Sequence, residues 1–213
     1  DGAMIAWRAG AAPGAPGPVR VLGCHADSPG FVLKPRPDFS TEDWAQAAVE
    51  VYGGPLLNSW LDRDLAFAGR LVTRQGSAHL VRTGAVARIP QLAIHLDREA
   101  NAGLKLDRQR HTQPVIGVSG LGGVPGTGAP VLDLLADAAG IPVAEIAGAD
   151  VRLADTQAPV RLGVSGELFA SPRLDNLSSV FAGLTALLEG DDQRLVECID
   201  AHRPPLYVAQ CAA

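Results

Sequence analysis

The chain has 213 residues, 47% of them hydrophobic and 19% charged, and a formal net charge of −5. This length allows one or two domains, and this composition is typical of a chain that buries a core, which excludes a wholly disordered protein. The acidic balance argues against a nucleic-acid partner, and no apolar run reaches the roughly 18 residues of a membrane span.

The cysteines and the first residues indicate a reducing compartment. The three cysteines are an odd number and lack the C-x-x-C spacing of a zinc site or redox motif, so a disulfide framework is not expected. The opening residues are acidic rather than basic before their apolar stretch, unlike a secretory signal peptide. We therefore expect a cytoplasmic protein with no membrane attachment.

The chain opens with two apolar runs that predict strands. Residues 3–7 and 19–23 flank a Gly/Pro-rich turn. The second run leads into the polar stretch 24–30. In open α/β sheets, ligand sites lie at the carboxyl ends of strands, so this stretch is a candidate functional site.

Residues 35–90 read as a mostly β segment, typical of a small barrel or sandwich. Alternating patterns at 44–52, 65–73 and 78–82 are separated by turn signals. The predicted core of this segment consists of its inward-facing aliphatic residues: Val49, Val51, Leu65, Leu71, Val72, Leu80 and Val86.

The remaining elements are mostly helical. Residues 89–98 predict a short helix or turn. The Gly-rich stretch 116–130 lacks the Gly-Lys-Ser/Thr ending of a phosphate loop, so we interpret it as a linker. An amphipathic helix is predicted over 131–139, with Gly140 at its C-terminal end.

After Gly140 the pattern predicts a short helix, a strand and a long helix. The short helix covers 141–146 and the strand 149–156. The long helix, 174–189, has apolar residues at three- to four-residue spacing and begins at Asp175 or Asn176, either of which could cap it.

Two sites, the His25–Asp27 pair and Asp175, could carry metal chemistry, and each has a simpler interpretation. His25 and Asp27 would point to the same side of a strand, so His25 could bind a cation while Asp27 orients the ring. The spacing alone favours an ordinary surface loop, because H-x-D arises often by chance. Asp175 is either a plain helix cap or a ligand bridging two metals. His95 lies in an apolar stretch, where a buried histidine hydrogen-bonded to backbone is the usual explanation.

Several segments, taken together, resemble the aspartyl aminopeptidases, a family of zinc metallopeptidases. The matching segments follow one another in order along nearly the whole chain: GCHADSP at 23–29, VEVYGG at 49–54 with WLDRDL at 60–65, RIPQLAIHLDR at 88–98, DTQ at 155–157 and SPRLDNL at 171–177.

This resemblance implies an α/β fold with two parts. One is a partial catalytic domain of the α/β/α sandwich type, discontinuous over 1–34 and 163–213. The other is an inserted β-rich dimerisation domain over 35–162. The family holds two zinc ions in each active site, and its dimers build a tetrahedral dodecamer, so peptide substrates and homo-oligomers are the implied partners.

The resemblance also implies a role for each candidate residue. His25 matches a histidine ligand of one zinc, and Asp27 matches the catalytic-site aspartate that supports this ligand. Asp175 matches the aspartate that bridges both zinc ions. His95 matches a substrate-binding histidine that reaches the active site of a neighbouring subunit.

One departure from the family pattern concerns the general base. The family follows the long helix with a strand that ends in a Glu-Glu pair, whereas residues 205–213 contain no glutamate. We therefore expect a truncated and inactive portion of an enzyme that removes N-terminal, acidic residues from peptides. The alternatives are a non-catalytic oligomerisation or regulatory module, and a related zinc aminopeptidase of altered specificity.

Overall fold

A computed structural model of the chain describes residues 3–7, 21–118 and 130–189. Its internal contacts divide the chain into two compact units. Residues Pro29–Ala158 form the first, which we call the sheet unit. The described residues up to Ser28 and from Pro159 onward form the second, which we call the helix unit.

The sheet unit is built on six antiparallel strands and one α-helix. The strands are β1 (Gly30–Thr41), β2 (Trp44–Tyr52), β3 (Leu65–Thr73), β4 (Ala78–Arg82), β5 (Val115–Val118) and β6 (Ile146–Asp155). Their order in the sheet is β4-β3-β6-β1-β2-β5. Helix α1 covers Pro130–Ala139, and 3₁₀ turns cover Leu57–Trp60 and Val143–Glu145.

The core of the sheet unit lies between one face of the sheet and helix α1. Inward-facing residues alternate along the strands, and Val131 and Leu135 of α1 complete the cluster. Phe31 of β1 meets Trp60 edge to face, with ring centroids 5.1 Å apart, in a favourable aromatic geometry. Strands, helix α1 and residues of the connecting segments such as Trp60 and Ile89 therefore share one core.

The predicted core is confirmed at its centre and wrong at its edge. Val49, Leu65 and Leu71 are fully buried, and Val51, Val72 and Val86 are half-buried. Leu80 is 86% exposed, because the alternation in β4 turns Val81 inward and its neighbour outward.

A glutamine side chain substitutes for strand backbone beside β2. The buried Gln113 accepts a hydrogen bond from the Val49 N–H at 2.7 Å and donates one to the Val49 carbonyl at 3.2 Å. Both backbone groups of a core residue are thereby satisfied just before β5 begins, which avoids the cost of burying them unpaired.

The helix unit contains a short hairpin and a long helix. Strands β7 (Val160–Leu162) and β8 (Leu168–Ala170) pair antiparallel, and helix α2 covers Leu174–Glu189, the bounds that the sequence predicts. The strand predicted at 3–7 is not formed. Of the strand predicted at 19–23, residues 21–23 have no regular structure, and 19–20 lie outside the described residues. An apolar run alone does not make a strand, because a strand also needs a paired neighbour.

The other sequence predictions differ from the structure mainly at element ends. Gly140 ends α1 with a φ of +67°, as expected of a helix C-terminus. The helix predicted at 141–146 is a single 3₁₀ turn, because β6 already begins at Ile146. Most of the predicted linker at 116–130 lies outside the described residues, and its first three residues belong to β5.

The sheet unit also starts and ends earlier than the predicted insertion at 35–162. Strand β1 begins at Gly30, and its Phe31 and Leu33 belong to the core, whereas β7 pairs with β8 in the helix unit. Within the described ranges, no helix is long and apolar enough to cross a membrane.

We expect Gly69→Ala to destabilise the sheet unit, by roughly 1–3 kcal/mol or more as an overpacking change. A Cβ at Gly69 of β3 would lie 2.1 Å from the Asp150 carbonyl oxygen and 2.6 Å from the Val151 Cα, so backbone would have to move. Hydrogen exchange of β3 and β6 amides measures the effect. The matched control is Gly148→Ala in β6, where a Cβ would meet nothing within 4 Å. Equal effects of the two substitutions would contradict this account.

Candidate metal centre

Two segments of the helix unit, distant in sequence, bring a histidine and a carboxylate together. His25 lies in the irregular segment 24–28, and Asp175 lies at the start of α2. The Nε2 atom of His25 is 3.2 Å from the Oδ1 atom of Asp175. Both side chains are open to solvent, with exposed fractions of 53% and 62%. The two residues that the family resemblance assigns to one site therefore lie close together, and both are accessible to solvent.

The distance between these two atoms suits two ligands of one metal ion. Zinc ligands at about 2.0–2.1 Å in a tetrahedral arrangement lie about 3.3 Å from each other. A direct charge-assisted N–H···O hydrogen bond is shorter, about 2.7–2.9 Å. Imidazole nitrogen and carboxylate oxygen are both common zinc donors, so the chemistry of this pair also fits the ion.

The far side of the His25 ring is held by Asp27. Nδ1 of His25 is 2.9 Å from the backbone carbonyl oxygen of Asp27 and 3.3 Å from its carboxylate Oδ1. Because a carbonyl can only accept, Nδ1 carries the proton of the neutral ring, and in that form the Nε2 atom that faces Asp175 has a lone pair. The sequence predicts that Asp27 orients the ring, and the shorter of the two contacts comes from its backbone.

The same contacts shift the acidity of His25. The hydrogen bond to the Asp27 carbonyl is the main cause that raises the pKa of His25 above its usual value, and the carboxylates of Asp175 and Asp27 act in the same direction. Partial desolvation opposes them. The site is thus electrically negative around the ring, as expected for a place that attracts a cation.

Asp175 interrupts the regular geometry of α2. Its φ and ψ are −86° and 104°, and those of Asn176 are −125° and 27°, so regular helical dihedrals begin only at Leu177. The backbone carbonyl of Asp175 accepts a hydrogen bond from the Ser28 hydroxyl at 3.0 Å. Of the two interpretations of Asp175, the position of Oδ1 next to His25 favours the metal ligand over the helix cap.

The described residues alone do not form a complete zinc site. Zinc takes about three protein ligands at a catalytic site. Across residues 3–7, 21–118 and 130–189, no group of three or more His, Cys, Asp or Glu side chains is arranged to hold a metal ion. Asp27 does not complete the set, because it contacts the opposite nitrogen of the ring.

The predicted substrate-binding residue, His95, lies in the sheet unit. It belongs to a turn and is exposed, as are its neighbours Leu92, Ile94 and Leu96. The interpretation of His95 as a buried core histidine is therefore wrong. Its contact with substrate stays a prediction.

One residue of this site has no assigned role in the sequence analysis. Ser28 lies inside the segment 23–29 that carries the family resemblance, directly after Asp27. Its hydroxyl bond to Asp175 joins positions 147 residues apart, which no local pattern reveals. The sequence signal that could have indicated Ser28 is its position close to the candidate site residues His25 and Asp27.

We expect the neutral His25 imidazole to carry its proton on Nδ1, because the Asp27 carbonyl accepts from that atom. Long-range proton–nitrogen NMR of nitrogen-15-labelled chain distinguishes the two tautomers. The spectrum should be recorded well above the raised pKa of His25, where the ring is neutral. His25→Ala assigns the signal, and a proton on Nε2 would contradict the orientation described here.

Comparison with known proteins places the chain in a family. The sequence model described as aminopeptidase I zinc metalloprotease (M18) matches residues 1–202. A curated relative, the probable M18 family aminopeptidase 2 of Streptomyces avermitilis, is 50% identical over 188 residues, which are 87% of this chain and 43% of the relative. The chain thus spans less than half the length of this relative.

Solved structures give the same result at the level of the fold. The structure described as the Ape4 and Nbr1 complex has a TM-score of 0.71 and 32% identity, covering 79% of this chain and 36% of that one. The S. cerevesiae mApe1 dodecamer has a TM-score of 0.60 and 28% identity, covering 78% and 37%.

Proposed function

The chain belongs to the M18 family of zinc metalloproteases, and we propose that it carries one part of the catalytic site of an aminopeptidase. The reaction is the release of an N-terminal residue, acidic in the preferred substrates, from peptides. The observation that carries this proposal is the His25–Asp175 pair, whose donor atoms lie 3.2 Å apart with the Nε2 lone pair free.

The residues of this chain would hold and orient the metal. His25 offers Nε2 as a ligand to one zinc ion. Asp175 has two carboxylate oxygens, so it can serve two ions, and we propose two zinc ions per site. Zinc, when bound, polarises the scissile carbonyl and lowers the pKa of a bound water. Asp27 fixes the ring orientation, as carboxylates and carbonyls behind ligating histidines do.

Substrate contact and assembly form the second part of the proposal. We propose that His95 contacts the substrate from a neighbouring subunit, so that the active protein is a homo-oligomer. Support comes from the resemblance of segment 88–98 to the family and from the dodecameric state of the yeast relative. The exposure of His95 and of the apolar residues beside it agrees with a surface that meets a partner. A cytoplasmic location stays a prediction.

The 213-residue chain on its own is proposed to be inactive. Aminopeptidase chemistry needs a general base within hydrogen-bond reach of the attacking water. The described site offers Asp27, which is occupied with His25, and residues 205–213 contain no carboxylate side chain. The alternative is a module that keeps the scaffold for assembly or regulation, and a third possibility is a zinc aminopeptidase of different specificity.

We expect zinc affinity to depend on the two proposed ligands. His25→Ala and Asp175→Ala should each weaken zinc binding by more than the roughly 10–100-fold typical of losing an outer-shell partner. Competition with a chromogenic chelator measures the affinity. His79→Ala, which removes an imidazole from β4 of the sheet unit, is the control. Equal affinity in the wild type and His25→Ala would refute the proposed site and favour the non-catalytic module.

We expect the purified chain to show no turnover. Loss of general-base help alone lowers the rate by roughly 10²–10⁴, and incomplete metal ligation lowers it further. The assay adds zinc to the chain and measures release of aspartate, glutamate or leucine from short peptides. Turnover that His25→Ala abolishes would show that a general base and further metal ligands are supplied from elsewhere in the chain. The N-terminal residue that is then released fastest would test the proposed acidic specificity.

A further inference from the structure

The segment that carries His25 contacts Asp175 at two points rather than one. The imidazole meets the carboxylate, and three residues later the Ser28 hydroxyl donates to the Asp175 backbone carbonyl at 3.0 Å. The two contacts differ in environment. The imidazole and carboxylate are more than half exposed, whereas Ser28 is 9% exposed.

This difference decides which contact fixes the geometry. An exposed contact between an imidazole and a carboxylate contributes little, because water competes for both groups. The hydrogen bond from the largely buried Ser28 hydroxyl meets less of this competition, and a carbonyl that loses such a partner is left unsatisfied. The serine hydrogen bond is therefore expected to fix the distance between His25 Nε2 and Asp175 Oδ1 better than the contact between those two atoms does.

The backbone of Asp175 makes this bond necessary. With its extended ψ of 104°, the Asp175 carbonyl does not point along the helix axis, so it does not enter the regular hydrogen-bond pattern of α2. The Ser28 hydroxyl supplies the partner from another part of the chain. The bond thus fixes the backbone unit from which the Asp175 carboxylate extends.

We propose that Ser28 is a positioning residue that sets the separation of the two metal donors, His25 Nε2 and Asp175 Oδ1. The inference rests on the proposed zinc function, because it assigns Ser28 to the same site. Ser28 does not touch the metal or the substrate. It ties the backbone of one ligand-bearing segment to the backbone of the other.

A separate contact keeps the segment in place when the serine bond is removed. The Leu22 side chain lies against Gly183 of α2, where an added Cβ would be 2.6 Å from the Leu22 Cδ2 atom. Loss of the Ser28 hydroxyl is therefore expected to make the distance between the two donor atoms more variable, while the segment that carries His25 stays in contact with α2.

The test compares Ser28→Ala with two controls in the 213-residue chain. Ser28→Thr keeps the hydroxyl and should restore the behaviour of the wild type. Ser178→Ala removes a serine hydroxyl that donates to the Leu174 carbonyl at 2.7 Å within α2, and so does not join the two segments. Zinc affinity is measured by chelator competition, and nuclear Overhauser effects between the His25 ring protons and the Asp175 Hβ protons are measured without metal.

We expect Ser28→Ala to weaken zinc binding 10–100-fold, the range for outer-shell partners, and to weaken the metal-free Overhauser effects. Ser28→Thr and Ser178→Ala should change neither. Unchanged Overhauser effects in Ser28→Ala would overturn the proposal whatever the zinc affinity. If they weaken while the wild type shows no His25-dependent zinc binding, the positioning role stands and the proposed zinc function fails.

Discussion

The sheet unit depends on the pairing of β3 with β6. Strand β6 lies between β3 and β1, so it joins the β3–β4 hairpin to the group β1, β2 and β5. Its register with β3 runs from Leu65 opposite Asp155 to Thr73 opposite Ile146, across a large separation in sequence. Gly69 permits the close approach midway along this pairing. Without β6 the same strands would form a three-stranded sheet and the separate β3–β4 hairpin, and an isolated two-stranded hairpin is at best marginally stable.

The end of β6 explains two of the segments that carry the family resemblance. Asp155 has a side chain only 5% exposed, and the Arg63 guanidinium pairs with it at 2.5 Å. Arg63 also donates to Gln157, and the Asp64 carbonyl accepts bonds from both the N–H and the hydroxyl of Thr156. A buried carboxylate needs such a partner. The segments 60–65 and 155–157 thus contact each other and secure β6 just before the sheet unit ends.

The sequence predicts what local patterns determine and misses what distant residues decide. Helix α2 and strands β2 to β4 have the expected bounds, because periodicity and turn residues specify them locally. The strand predicted at 3–7 fails because pairing requires a neighbour that no local pattern supplies. Gln113 was missed because its partner, Val49, is 64 positions away. At the candidate metal centre, motif resemblance pointed to His25 and Asp175, whose side chains lie together, whereas the Ser28 bond depends on a tertiary contact that no local pattern shows.

Asp175 shows how a tertiary contact selects between two uses of one residue. A carboxylate at a helix start normally accepts from the first-turn amides, and this is why the local sequence favours a helix cap for Asp175 while leaving a metal ligand open. Non-helical dihedrals at Asp175 and Asn176 separate this carboxylate from the regular helix that begins at Leu177. The Ser28 hydroxyl satisfies the carbonyl that this geometry leaves outside the helix, and Oδ1 is then positioned next to His25. The hydrogen bond at the backbone and the placement of the Asp175 carboxylate are therefore two consequences of one local departure from helical geometry.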